Sequence, residues 1–138
     1  MASDVTTLVD SNVLLDVLTA DETWAAWSST ALVEALDSGP VIINPIVYAE
    51  VSVGFTRIEE LEDALSPSQF VREPLASPAG FLAGKAFVAY RRSGGVKPTP
   101  LPDFYIGAHA AVAGHRLLTR DAQRYRTYFP RLDVIAPE

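Results

Sequence analysis

Residues 5–18 read VTTLVDSNVLLDVL, and this stretch decides the fold. Its first five residues are rich in β-branched side chains, which predicts a short buried strand. Ser11 or Asn12 can cap a helix over 13–18, because a polar side chain at that place accepts hydrogen bonds from free amides of the first turn. A strand that runs directly into a helix is typical of α/β proteins. It also delivers Asp10 to the carboxyl end of the strand.

Strand-like and helix-like segments alternate along the rest of the chain. Further strands are predicted at 41–43, 70–72, 116–119 and 132–135. Further helices are predicted at 23–37, from Asn44-Pro45 onwards, and at 57–65, 77–92 and 103–113. This alternation indicates an α/β fold with a mostly parallel sheet flanked by helices. With 138 residues and no internal repeat, we expect one domain over residues 1–138.

Composition restricts the class of protein. The hydrophobic fraction of 49% fits a packed globule, and the absence of cysteine excludes disulfides and thiolate metal sites. This is compatible with the cytoplasm, where we expect the protein to act. The first twelve residues lack the basic and apolar regions of a signal peptide, and no apolar stretch reaches the length of a membrane span. The net charge of −6 argues against broad electrostatic affinity for nucleic acid. Arginines in the second half could still form a local basic wall.

Four carboxylates lie where a predicted strand ends or a predicted helix begins: Asp10, Glu50, Asp103 and Asp121. In a parallel sheet, ligands bind beyond the carboxyl ends of the strands, so one edge could collect all four. Such an acidic pocket repels itself unless it holds a cation. Oxygen-only ligands suit a hard ion such as Mg²⁺ or Mn²⁺. The pattern therefore favours metal-assisted chemistry on phosphate.

Four segments in order carry a resemblance to a known family: VDSNVLLD, NPIVYAEV, LPDFYIGAHAAVAG and LLTRDAQRYRTYF. Together they resemble the PIN domain, and more narrowly the VapC-type ribonuclease toxins of prokaryotic toxin–antitoxin pairs. The resemblance covers essentially the whole chain and implies a PIN-like α/β/α sandwich. It also implies Mg²⁺- or Mn²⁺-dependent cleavage of RNA, inhibition by a cognate antitoxin, and a homodimer. The family's four acids match Asp10, Glu50, Asp103 and Asp121.

Roles within the site follow from the preferences of the ion. Because Mg²⁺ keeps several waters and takes few protein ligands, we expect Asp10 and Asp103 to bind it directly. Glu50 and Asp121 then act partly through water or as orienting groups. These four acids are the predicted catalytic residues.

Three polar residues beside the acids have weaker predicted roles. Asn12 lies two residues after the first acid, and Thr119 occupies the family's small hydroxyl position. Both could hold carboxylates or waters by hydrogen bonds. Arg120, next to Asp121, could contact a substrate phosphate.

Other chemically capable residues favour structural interpretations. The spacing of His109 from Asp103 turns it away from the site, and with His115 it shows no zinc-ligand spacing. We expect Asp16 to be solvated, with an outer place in the acidic site as the alternative. The spacing of Trp24 and Trp27 favours core or a partner interface over base stacking.

Two other function classes stay open on the sequence alone. One is a phosphatase that uses Asp10 as nucleophile, although Asn12 stands where a second acid is usual. The other is a non-catalytic binding module on the same fold, which the intact set of acids disfavours.

Overall fold

The structure is a computed structural model that describes residues 5–138. The sequence of the first twelve residues did not predict a signal peptide. Four of them, residues 1–4, lie outside the described residues. Within residues 5–138, five strands form one parallel sheet: β1 (Thr7–Val9), β2 (Val41–Ile43), β3 (Phe70–Arg72), β4 (Arg116–Leu118) and β5 (Val134–Ile135). The predicted parallel α/β fold is confirmed.

In the part of the chain that the structure describes, seven helices flank the sheet. They are α1 (Ser11–Leu18), α2 (Ala25–Ser38), α3 (Pro45–Ser52), α4 (Ile58–Ala64), α5 (Ser77–Arg92), α6 (Pro102–Ala113) and α7 (Gln123–Tyr128). All but α7 were predicted, with boundaries that differ by a few residues. In the described part of the chain, no helix is long and apolar enough to cross a membrane.

The strand order β3-β2-β1-β4-β5 creates a switch point between β1 and β4. From β1 the chain builds outward through β2 and β3, then returns to add β4 and β5 on the other side. At such a point the loops leaving two neighbouring strands turn in opposite directions and open a crevice at their carboxyl ends. Val9 pairs with Leu118, so Asp10 and Thr119 emerge side by side at that crevice.

The core lies around the middle strands, whose side chains are buried except that of Arg116 at the start of β4. Leu8, Ile42, Ile43 and Leu117 are fully or almost fully buried. Strands buried on both faces read as continuous apolar runs, which is why these short segments were recognisable in the sequence.

Polar residues set two helix starts beside the crevice, and a glycine sets the far end of α6, just before β4. Asp10 itself caps α1 in an extended conformation, so the helix begins at Ser11 and the expected cap at Ser11 or Asn12 was wrong. Asn44 caps α3, with Pro45 at its first position. Gly114 ends α6 with φ 77°, a left-handed conformation that glycine adopts without strain.

Candidate functional site

Asp10 is the buried centre of the site. Its Oδ1 accepts a hydrogen bond from the amide of Ser11 at 2.8 Å. Its Oδ2 accepts from the hydroxyls of Thr119 at 2.9 Å and Tyr125 at 2.8 Å. The pKa of Asp10 is raised to about 6, mainly by burial. The hydrogen bonds from Tyr125 and Thr119 oppose this rise, and the charges of Asp103 and Glu50 add to it. Asp10 therefore ionises at a cost that a nearby cation would offset.

Glu50 approaches Asp10 from α3. The hydroxyl of Ser11 donates to Oε1 of Glu50 at 2.9 Å, so consecutive residues of the β1–α1 junction hold two of the acids. Partial burial raises the pKa of Glu50, the Ser11 hydrogen bond lowers it, and the charge of Asp103 raises it further. The charge of Asp103 thus acts on both Asp10 and Glu50, which places the three carboxylates in one acidic region.

Asp103 lies in the first turn of α6, where the positive end of the helix dipole favours a carboxylate. It makes no capping hydrogen bond, because the extended cap residue is Leu101. Its Oδ2 instead pairs with Nη1 of Arg124 at 3.1 Å, and both side chains are partly exposed. A cationic side chain thus already neutralises this acid in the chain itself.

Asp121 lies exposed in the loop after β4. Its amide donates to the hydroxyl of Thr119 at 3.2 Å, and that hydroxyl donates in turn to Asp10. Asp121 and Asp103 also line one groove of about 420 Å³. The other residues lining this groove are Tyr90, Gln123, Arg124, Thr127 and Tyr128.

Asn12 and Thr119 connect β4 to α1 beside the acids. The amide of Asn12 donates to the hydroxyl of Thr119 at 3.2 Å, and its carbonyl accepts from the backbone of Arg120 at 3.1 Å. The Thr119 hydroxyl accepts a hydrogen bond from Asn12, and it donates its own hydrogen to Asp10. The pair therefore orients the β4 loop and one oxygen of Asp10.

Arg120 turns away from the acids. Its guanidinium makes two hydrogen bonds to the carboxylate of Asp16, at 2.8 and 3.2 Å, and lies over the ring of Trp24. The hydroxyl of Ser28 donates to the same carboxylate at 2.8 Å. Asp16 is only 3% exposed, so the expectation that it would be solvated was wrong: a fixed arginine allows its burial. Trp27 packs against the core.

A second polar cluster lies outside the four acids. The Nε2 atoms of His109 and His115 lie 3.0 and 2.8 Å from Oε1 of Glu73. Burial raises the pKa of Glu73, but its hydrogen bonds with His115 and His109 oppose the rise, so that the pKa is lowered. Within residues 5–138 this is the group of three possible metal ligands whose atoms all lie within 4.8 Å of one another. His109 is buried, and the two histidines converge, which their spacing did not indicate.

Tyr125, Arg124 and Glu73 were not recognised in the sequence. The first two lie on α7, a six-residue helix that was not predicted, and Glu73 follows β3. An aromatic residue four positions after Asp121 is a weak signal for a hydroxyl that reaches Asp10.

The donor set suits a divalent cation such as Mg²⁺ or Mn²⁺. The anionic groups of the site are carboxylates, the ligands that such ions prefer, and the charge of Asp103 raises the pKa of both Asp10 and Glu50. Within the described residues these acids do not form a group of three ligands within 4.8 Å. Mg²⁺ readily keeps several bound waters, and such waters can bridge the wider distances between these carboxylates and the ion.

Several solved structures are similar to this chain over nearly their whole length. One is VapBC2 from Rickettsia felis bound to a promoter DNA fragment, with 16% identity, coverage of 97% of this chain and 100% of that chain, and a TM-score of 0.74. Another is VapBC-1 from nontypeable Haemophilus influenzae, with 16% identity, coverage of 96% and 98%, and a TM-score of 0.72. A toxin–antitoxin complex from Klebsiella pneumoniae gives 24% identity, coverage of 96% and 98%, and a TM-score of 0.65.

At these identities the likeness is one of fold. No curated protein matches the chain. A family model described as PIN domain matches residues 7–130, which include all four acids and the whole switch point. The chain therefore belongs to the PIN domain family.

Proposed function

We propose that this protein is a divalent-metal-dependent endoribonuclease that acts as the toxin of a toxin–antitoxin pair. The observation that carries the proposal is the electrostatic convergence of Asp10, Glu50 and Asp103 at the switch point of the sheet. Three elements distant in sequence bring carboxylates together where a folded protein would otherwise avoid them. Membership of the PIN domain family supports a nuclease.

In this proposal Asp10 and Asp103 would hold Mg²⁺ or Mn²⁺ directly, and Glu50 and Asp121 would hold its waters. The ion, when bound, supplies a water of lowered pKa and positive charge beside the scissile phosphate. Asn12 and Thr119 hold the Asp10 carboxylate and the loop that carries Asp121.

The hydrogen bonds on Asp10 leave a defined part of it free for a cation. Oδ2 accepts from Thr119 and Tyr125, so both of its lone pairs are engaged. Among residues 5–138, only the Ser11 amide donates to Oδ1, which keeps one lone pair. We infer that Asp10 binds the ion through Oδ1 alone. Three donors on a buried carboxylate also make it a poor nucleophile, which disfavours the phosphatase alternative.

RNA is the proposed substrate, and the groove between Asp103 and Asp121 is its proposed path. The chain carries a net charge of −6, so phosphates need local positive charge. Arg124 lies in the groove and pairs with Asp103. A cation bound to Asp103 would release this arginine towards a phosphate. Arg120 is a weaker candidate for substrate contact, because Asp16 already engages it.

The proposed protein partner is a cognate antitoxin. Structures similar to this chain are described as toxin–antitoxin complexes, and the Arg124–Asp103 pair shows that a guanidinium fits against the acids. An antitoxin arginine inserted at the same place would compete with metal.

We also propose a homodimer in the cytoplasm. Exposed apolar side chains such as Phe81, Ile58 and Val53 support self-association better than the half-buried Trp24 and Trp27 do.

The test is cleavage of end-labelled RNA by purified protein, with Mn²⁺ or with EDTA, beside hydrolysis of a phosphate monoester. We expect internal cleavage of RNA with Mn²⁺ only, and loss of activity in Asp103→Asn. Asp37→Asn, on the exposed side of α2, is the matched control and keeps full activity. Monoester hydrolysis without RNA cleavage would indicate a phosphatase, and no turnover of either substrate would indicate a binding module.

A further inference from the structure

A buried hydrogen-bonded chain connects Glu73 to the helix that carries Glu50. Nε2 of His109 lies 3.0 Å from Oε1 of Glu73, and Nδ1 of the same ring lies 3.0 Å from Nδ2 of Asn44. The carbonyl Oδ1 of Asn44 accepts from the amide of Val47 at 2.9 Å. His109 and Asn44 are both at least 96% buried, so water does not readily replace these contacts.

The cap on α3 fixes which nitrogen of His109 carries the proton. Because Oδ1 of Asn44 must face the Val47 amide, its Nδ2 group faces the ring and can only donate. Nδ1 of His109 is therefore the acceptor and carries no proton. The proton of the neutral ring lies on Nε2 and is donated to Glu73.

This arrangement disfavours a metal ion at Glu73, His109 and His115. A metal bound to Nε2 of His109 would move the ring proton to Nδ1, where it would meet the donor Nδ2 of Asn44. Turning the Asn44 amide to accept it would set Nδ2 against the Val47 amide and remove the cap. The cluster is instead satisfied without an ion, because Nδ1 of His115 has its own partner in the hydroxyl of Thr6.

The cap matters for the acidic site because α3 is short. The helix has eight residues, Pro45 at its first position has no amide proton, and Val47 and Val51 anchor its buried side. Glu50 lies in its second turn. Turning the start of α3 would therefore move Glu50 relative to the Ser11 hydroxyl that holds it.

We propose that His109, held by Glu73, is a positioning residue that orients the Asn44 amide and through it sets α3 and Glu50. The link to catalysis rests on the proposed function; the link to α3 does not. His109 touches no acid of the site, so it acts only through Asn44.

The first test is the tautomer of His109 in the metal-free wild-type protein, measured by ¹⁵N NMR of the imidazole nitrogens. We expect a proton on Nε2 and none on Nδ1. A proton on Nδ1 would overturn the proposal, since Asn44 could then not be oriented as described.

The second test uses two amides that each mimic one nitrogen of the ring. In His109→Asn, a carbonyl lies near the place of Nδ1 and can still accept from Asn44, but the contact to Glu73 is lost. In His109→Gln, the amide lies near the place of Nε2 and can still donate to Glu73, but the contact to Asn44 is lost. Each variant loses one hydrogen bond, but Asn is smaller than Gln by one methylene group and leaves the larger void. A merely structural role therefore predicts the greater effect in His109→Asn, which is the reverse of the order expected here.

The readouts separate this proposal from the proposed function. Hydrogen exchange of the Val47 amide should be near wild type in His109→Asn and clearly faster in His109→Gln, whether or not the protein cleaves RNA. If it does, His109→Gln should lose about 10- to 100-fold in cleavage, as loss of outer partners typically does, and His109→Asn much less. Equal effects, or the opposite order in Val47 exchange, would overturn the proposal. Absence of RNA cleavage by wild type would overturn only the proposed function.

Discussion

The hydroxyl of Tyr125 donates a 2.8 Å hydrogen bond to Oδ2 of Asp10, 115 residues away in the chain. This bond lowers the pKa of Asp10 against the burial that raises it to about 6. α7 approaches closely because Gly107 on α6 leaves room for the ring of Phe129. The tyrosine therefore helps to keep the central acid ionised near neutral pH.

Tyr125→Phe should raise the pKa of Asp10 further, because a hydrogen bond to the charged form is lost. We expect the acidic limb of the pH profile for metal-dependent cleavage to move to higher pH. Tyr105→Phe, which leaves the three hydrogen bonds on Asp10 intact, should not move it. An acidic limb unchanged in Tyr125→Phe would show that Asp10 does not set that limb.

Asp10→Asn should gain stability relative to wild type as pH rises. In wild type the unfolded chain loses the Asp10 proton near pH 4, whereas the folded protein keeps it until about 6. Between these values the folded state binds more protons, so the Asp10 contribution to stability falls as pH rises. The difference in free energy of unfolding, variant minus wild type, should grow on the order of 3 kcal/mol from pH 4 to above 6. Denaturant unfolding in EDTA measures it, and a difference independent of pH would contradict the raised pKa.

Asp103→Asn should leave the metal-free fold at least nearly as stable as wild type while abolishing cleavage. The substitution removes repulsion on Asp10 and Glu50 and breaks the partly exposed pair with Arg124, which is worth about 0–1 kcal/mol. Excess Mn²⁺ should raise the melting temperature of wild type more than that of the variant. Unfolding of the metal-free variant would show that Asp103 is mainly structural.

Arg120→Ala should destabilise the protein by about 3 kcal/mol or more, because it leaves the buried charge of Asp16 without its partner. Adding Asp16→Asn should recover part of the loss. The exposed pair of Arg57 and Glu59 provides the control, and Arg57→Ala should change stability by less than about 1 kcal/mol. Chemical denaturation of wild type and the three variants measures these changes. A small loss in Arg120→Ala would mean that Asp16 is not effectively buried.

Sequence patterns predicted the parts of the fold that depend on local chemistry. The apolar run before Asp10 and the Asn44-Pro45 start of α3 both follow from residues adjacent in the chain. A parallel sheet then places strand ends at one edge, which is why acids in four segments could be assigned to one site.

The remaining features depend on contacts between segments. α7 is too short for a clear periodic pattern, so the hydroxyl of Tyr125 was not expected near Asp10. Asp16 looked solvated because the arginine that pairs with it lies 104 residues away. Glu73, His109 and His115 converge only after β3, α6 and β4 have packed, and their spacing in sequence carries no trace of this.

The most direct measurement of the central claim is a crystal structure of the protein soaked with Mn²⁺, with the ion located by its anomalous scattering. We expect a peak in contact with Oδ1 of Asp10 and with Asp103, with Arg124 released from Asp103. A peak bound to Glu73, His109 and His115 instead, with the four acids unchanged, would contradict both the proposed metal site and the tautomer assigned to His109.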